Sequence, residues 1–126
     1  MSISSWWKEF YPVEADDVAA TGSDIKALNH SLLKWQGLRD AAISKHWLIR
    51  GFKRLREKVP GPLNEFVLIS GESCALCQRY EEDCDSCVLY DCGPEWHKYM
   101  DHNDPEPMIK LLESKLVEAV MNENKV

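Results

Sequence analysis

Residues 74–92 have the sequence CALCQRYEEDCDSCVLYDC, and this stretch contains all five cysteines of the 126-residue chain. The spacing is Cys-x2-Cys-x6-Cys-x2-Cys-x4-Cys. Each Cys-x-x-Cys pair can deliver two thiolates to one ion, which is what a tetrahedral zinc site requires. Because the stretch is short and polar, it has little core of its own, and we expect a structural metal ion to organise it.

The simplest ligand set consists of the two complete pairs: Cys74, Cys77, Cys84 and Cys87. Four thiolates suffice for zinc, so one cysteine is spare, and Cys92 is an alternative ligand in place of Cys84 or Cys87. His97 is a further substitute. The alternatives to structural Zn²⁺ are an iron–sulfur cluster, which four cysteines can also hold, and reduced thiols without a metal.

The same cysteine pattern argues against catalysis. A catalytic zinc keeps an open coordination position and usually has histidine or carboxylate ligands, whereas four or five thiolates indicate a closed site. A reactive thiol needs an electropositive environment, and this stretch is acidic. We therefore expect a non-enzymatic protein, with a small thiol or metal-dependent enzyme as the third alternative.

The length and composition predict one domain, residues 1–126, with 44% hydrophobic residues for its core. The first residues lack the pattern of a secretory signal, and no segment approaches the roughly 20 apolar residues of a membrane helix. We expect a cytoplasmic protein whose thiols stay reduced, and no membrane partner.

The periodicity predicts a mainly α fold: a small helical domain with an irregular zinc-binding cysteine loop and at most a short strand or hairpin. Its predicted parts are an aromatic N-terminal arm at 1–22, a helical region at 23–59, a cysteine module at 66–104 and a C-terminal helix at 104–122.

Local signals set the predicted boundaries of these parts. Ser23 is a candidate N-cap for a helix at 24–36, and Gly37 marks its stop or a kink. A second helical stretch is predicted from about 38 to 59, and a short buried strand at 66–69. The C-terminal helix begins with Asp104 as cap and proline at its first position.

Charge is strongly segregated along the chain, whose formal net charge is −6. Residues 45–58 hold six cationic side chains against one carboxylate, whereas residues 72–104 hold nine carboxylates against two cations. On the predicted amphipathic helix, a cationic face suits nucleic acid, because contacted phosphates release counterions. The candidate nucleic-acid-binding residues are Arg50, Lys53, Arg54, Arg56 and Lys58. The competing interpretation is a cationic face that is solvated or docked on the acidic module.

Tryptophans supply a second set of candidates. Trp6 and Trp7 are adjacent, so a helix cannot direct both at one core, and one of them is a candidate exposed anchor for a partner or for self-association. Trp35, Trp47 and Trp96 are expected to pack in the core or on the cysteine module.

The cysteine pattern, together with Leu33–Arg39, Gly71–Cys77 and Trp96, resembles that of small cysteine-motif proteins found in tailed phages and bacteria. The resemblance implies zinc binding and a location in the bacterium or infected host cell. It implies no activity. We expect a zinc-stabilised accessory protein that binds another macromolecule, with a protein partner first and nucleic acid as the alternative.

Overall fold

The computed structural model describes residues 3–51, 54–58, 66–68 and 93–123. Helices dominate these residues, which confirms the mainly α prediction. They are α1 (Ile3–Phe10), α2 (Ala15–Ala19), α3 (Asp24–Gln36), α4 (Asp40–Lys45), α5 (Gly93–His102) and α6 (Glu106–Glu123). Three strands, β1 (Leu48–Gly51), β2 (Arg54–Glu57) and β3 (Phe66–Leu68), form an antiparallel sheet in the order β1-β2-β3.

Helix α3 has the predicted bounds, because its ends are set by local chemistry. The hydroxyl of Ser23 accepts a hydrogen bond from the backbone N–H of Lys26 at 3.2 Å, which satisfies one of the free donors of the first turn. Gly37 is the C-cap residue, and its N–H donates to the carbonyls of Leu33 and Lys34. The helix buries Leu28 and Trp35, which helical spacing places on the same face.

The predicted helical stretch over residues 38–59 is right for α4 but wrong for residues 48–51 and 54–57, which form strands. Helix α4 ends at Lys45, and the chain then forms the hairpin of β1 and β2, with Arg50 opposite Leu55 and Gly51 opposite Arg54. The apolar residues of this stretch fit helical spacing, but residues 54–57 also alternate between exposed and buried positions as a strand requires. Pairing with β3 provides hydrogen-bond partners for the backbone groups on the second edge of β2. The tertiary structure therefore favours a strand over a helix for this segment.

The sheet is therefore one strand larger than the short strand or hairpin allowed by the sequence. Strand β3 confirms the strand predicted at 66–69, with Phe66 opposite Arg56 and Leu68 opposite Arg54. Phe66 is 38% exposed, so the prediction that this strand is wholly buried is wrong for Phe66.

The core lies between α3, α6 and the inner face of the sheet. Side chains that are fully or almost fully buried include Ile3, Trp6, Leu28, Leu38, Leu55, Ile109 and Leu112. The N-terminal arm takes part as a helix, because α1 directs Ile3 and Trp6 into this core.

The C-terminal helix begins at Glu106, close to the predicted start at 104. Asp104 accepts a hydrogen bond from the N–H of Glu106 at 3.1 Å through its carboxylate, and the carbonyl of Pro105 accepts from Ile109. Asn103 has a positive φ of 56° in the turn between α5 and α6, a conformation that asparagine tolerates better than most residues. The turn lets Tyr99 of α5 pack edge to face on Trp35 of α3, with the centres of the two rings 5.1 Å apart.

Candidate functional site

The cations of residues 45–58 that the structure describes separate into two groups. Lys45 and Arg50 serve the fold. The ammonium of Lys45 donates to both carboxylate oxygens of Glu9 at 2.9 Å. Arg50 donates to the carbonyl of Leu38 and pairs with Asp40, both at 2.7 Å. Neither residue is a free cation. Lys53 lies outside the described residues.

Arg50 also faces the aromatic core, with its guanidinium carbon 6.0 Å from the centre of the Tyr99 ring. Burial raises the pKa of the Tyr99 hydroxyl, and the nearby Arg50 charge offsets part of that rise. Because Arg50 holds α4 and α5 against β1, we regard it as a structural residue instead of the nucleic-acid ligand suggested by the sequence.

The second group forms a straight row, which we call the cation row: Arg54 and Arg56 of β2 and Lys58, which follows β2. All three side chains are exposed. Alternate residues of a strand point to the same face, about 6.7 Å apart. None of the three forms an ion pair with any residue in the described ranges.

The opposite face of the hairpin explains why the cation row points outwards. Leu55 lies between Arg54 and Arg56 and is 0% exposed, and Leu48 of β1 is almost as deeply buried. A shift of the register by one residue would place two guanidinium groups in the core, so burial of Leu55 fixes the orientation.

Neighbouring residues shape the outer surface of the sheet. The guanidinium carbon of Arg54 lies 4.5 Å from the centre of the Phe66 ring, in cation–π contact. Arg56 lies near Gly51 of the neighbouring strand, since a Cβ at residue 51 would lie 3.9 Å from its Nε, an ordinary van der Waals distance.

The two partner-binding candidates at the N-terminus differ in exposure. Trp6 is 0% exposed, and its indole N–H donates to the carbonyl of Gly37 at 2.8 Å. Trp7 is half-buried and packs against the same core. Trp6 is therefore not the exposed member of the pair, and the anchor stays a prediction for Trp7.

Trp47 is a large exposed apolar side chain that was predicted to pack in the core or on the cysteine module. Its side chain is 64% exposed, so the prediction of a core position is wrong. It precedes β1, and its carbonyl accepts a hydrogen bond from the N–H of Lys58 at 3.1 Å. Trp47 therefore lies at the end of the cation row.

A hydrogen-bonded cluster around the buried His46 fixes the corner just before Trp47. His46 contacts Ser5 Oγ through Nδ1 at 2.8 Å and Glu9 Oε2 through Nε2 at 2.9 Å. A carboxylate only accepts, so Nε2 carries the proton towards Glu9. Hydrogen bonds from Lys45 and then His46 hold the pKa of Glu9 below its ordinary value. The partners are 36–41 residues apart, so no local pattern reveals the cluster.

A shallow polar depression of about 410 Å³ lies between the start of α4 and the turn from α5 to α6. Arg39 and Glu106 close one side with two hydrogen bonds of 2.6 and 3.2 Å. This pair raises the pKa of Arg39 and lowers that of Glu106. The depression combines both signs of charge and therefore favours no single class of ligand.

The five predicted metal ligands lie outside the described residues, so the zinc prediction stays a prediction. His97, the substitute ligand, is an exposed residue of α5 with its ring 5.3 Å from that of Trp96. Within residues 3–51, 54–58, 66–68 and 93–123, no three histidine or carboxylate side chains form a group that could hold a metal.

Comparisons of the chain with family models, curated proteins and solved structures find no match. None of the helices in the described ranges has both the length and the hydrophobicity needed to cross a bilayer.

Proposed function

We propose that this chain is a non-enzymatic accessory protein that binds nucleic acid through the cation row. The observation that carries the proposal is the linear array of Arg54, Arg56 and Lys58, exposed and without ion pairs among the described residues. A strand that buries Leu55 holds the first two at a fixed spacing. Rigid cations cost less side-chain entropy on binding than cations on a mobile segment.

A row of cations along a strand suits a phosphate backbone, which presents negative charge at regular intervals. Arginine donates two parallel hydrogen bonds to phosphate oxygens, and lysine acts as a point charge. Two exposed aromatic side chains, Phe66 of the sheet and Trp47, add aromatic surface beside the charges. This combination of a basic track with aromatic rings is typical of single-strand binding proteins.

The net charge of −6 opposes this function but does not exclude it. Repulsion is largely screened beyond about 8 Å at physiological salt, so only carboxylates close to the cation row would weaken binding strongly. Protein binding, which the sequence analysis placed first, is the competing function. An acidic protein surface would use the same three cations.

Zinc is the second part of the proposal. We propose that Cys74, Cys77, Cys84 and Cys87, with Cys92 as the alternative, hold one structural Zn²⁺ in the reducing cytoplasm. The spacing of the two Cys-x-x-Cys pairs supports it. Elemental analysis of protein purified without added zinc should find one zinc per chain, and a chelator should lower the melting temperature. Metal-free protein with unchanged melting in chelator would refute this part.

The test of binding uses a fluorescein-labelled, mixed-sequence single-stranded DNA of about 20 nucleotides and measures fluorescence anisotropy across a salt series. Three phosphate contacts predict a slope of about −2 in a plot of log affinity against log salt, or about a 20-fold loss between about 50 and 200 mM. A triple variant should lose most of the affinity and most of the slope: Arg54→Gln, Arg56→Gln and Lys58→Gln.

A matched control removes the same charge from exposed lysines on helices: Lys8→Gln, Lys26→Gln and Lys110→Gln. We expect this variant to keep nearly all the affinity. Equal losses in the two triple variants would mean that net charge alone drives binding. No binding at about 50 mM salt would reject the proposal and leave an acidic protein as the partner to test.

A further inference from the structure

Trp47 combines three properties that rarely occur together. Its side chain is 64% exposed, its backbone has a positive φ of 57°, and both of its neighbours in the chain, His46 and Leu48, are 4% exposed. A positive φ is unfavourable for a bulky residue and favourable for glycine or asparagine. The fold therefore uses the least suitable kind of residue at this position and directs much of its ring into solvent.

The backbone around Trp47 is held on both sides. Its N–H donates to the carbonyl of Ser44 at 3.2 Å, and its carbonyl accepts from the N–H of Lys58 at 3.1 Å. His46 is locked by Ser5 and Glu9, as described above. The indole thus projects from a fixed corner, and neither burial nor backbone preference explains why this residue is tryptophan.

The position relative to the cation row indicates a ligand. Trp47 is joined to Lys58 by a backbone hydrogen bond, so it lies beside the last residue of the cation row. Phe66 of β3, the other exposed aromatic residue in the part of the chain that the structure describes, is already in contact with the guanidinium of Arg54. Trp47 is therefore the more open aromatic platform of the two.

Resting on the proposed function, we propose that Trp47 is a stacking platform for an unpaired base, so that the cation row binds single-stranded nucleic acid in preference to duplex. The cations hold the phosphate backbone, and the base next to Lys58 stacks on the indole. Bases in a duplex are already stacked and paired, so a duplex can use the cations but not the ring. Stacking tolerates any base, because every base has a flat π-face.

The experiment compares Trp47→Gly with Trp47→Phe. Glycine adopts a φ of 57° without strain, so Trp47→Gly should fold, which circular dichroism and thermal melting check. Phenylalanine keeps a ring at the same position. The probes are the labelled single strand, a duplex of the same sequence, and a single strand of equal length in which abasic sites replace the nucleotides. The control is Val117→Ser, a change at an exposed apolar side chain of α6.

We expect Trp47→Gly to weaken binding of the single strand by about 5- to 150-fold and Trp47→Phe to weaken it far less. Affinities for the duplex and for the abasic strand should not change, and the salt slope should stay the same, because no phosphate contact is lost. The Val117→Ser variant should bind every probe like the wild type.

The outcomes separate the two proposals. If the cation-row variant loses binding but Trp47→Gly binds the single strand like the wild type, stacking is refuted and the proposed function stands. Equal weakening on all three probes would also refute stacking, since it would indicate a phosphate contact or a structural effect. If wild-type protein binds none of the probes, both proposals fail, and an acidic protein becomes the partner to test.

Discussion

A methyl group added at Gly37 tests how the N-terminal helix is packed. Gly37 caps α3 with φ −68° and ψ −9°, a right-handed conformation that any residue adopts. Conformation alone therefore does not require glycine. On helix propensity alone, Gly37→Ala should stabilise the protein by up to about 1 kcal/mol.

The packing predicts the opposite sign. A Cβ at residue 37 would lie 2.6 Å from Cγ, 2.8 Å from Cβ and 2.9 Å from Cδ2 of Phe10. These atoms form the root of the side chain, so a rotation of the ring cannot remove all three contacts. Helix α1 would have to move away, although the indole of Trp6 is hydrogen-bonded to the carbonyl of Gly37. Overpacking of this kind costs about 1–3 kcal/mol.

Urea unfolding followed by far-ultraviolet circular dichroism measures the effect. We expect Gly37→Ala to lower the free energy of unfolding by about 1–3 kcal/mol. In a Phe10→Ala background the methyl group has room, so the same change should cost little, with a coupling energy of about 1 kcal/mol or more. Stabilisation by Gly37→Ala in the wild-type background, or an equal cost in both backgrounds, would show that α1 does not pack on Gly37 as described.

Two further predictions test the sheet and the hydrogen-bonded cluster around His46. Leu55→Ala should cost about 2–5 kcal/mol in the free energy of unfolding, because Leu55 is fully buried, whereas Arg56→Ala should change it by less than about 0.5 kcal/mol. Similar costs in urea unfolding would contradict the strand register. Because Lys45 and His46 lower the pKa of Glu9, the stability from these contacts is complete above the ordinary carboxyl pKa of 4.5 and is lost as the pH falls through the lowered value. Glu9→Gln should therefore lose less stability than the wild type below pH 4.5, measured by urea midpoints over a pH series; equally steep losses would show that Glu9 does not contribute.

The cation row could be predicted in part. The cluster of basic residues was evident from composition, but its division into structural and free cations was not. Arg50 is used by the fold because the register places it on the same face as Leu55, towards Tyr99. Sequence periodicity placed Arg50 together with Arg54 on one helical face, and this grouping disappeared when the segment formed strands.

Trp47 and the cluster around His46 could not be predicted. Tryptophan is usually a core residue, and nothing in the neighbouring residues indicates a positive φ. The cluster depends on Ser5 and Glu9, which are 41 and 37 residues away from His46 along the chain. Contacts of that kind exist only after α1 has docked.

The sequence by itself determined the elements whose ends depend on neighbouring residues. The cap at Ser23, the stop at Gly37 and the start at Asp104 act within one helical turn, so α3 and the beginning of α6 follow from them. The tertiary structure decided what residues 46–51 and 54–58 become and which way their side chains point. Their short apolar pattern fits a helix and a strand equally well, and only the pairing of β2 with β1 and β3 and the burial of Leu55 separate the two states.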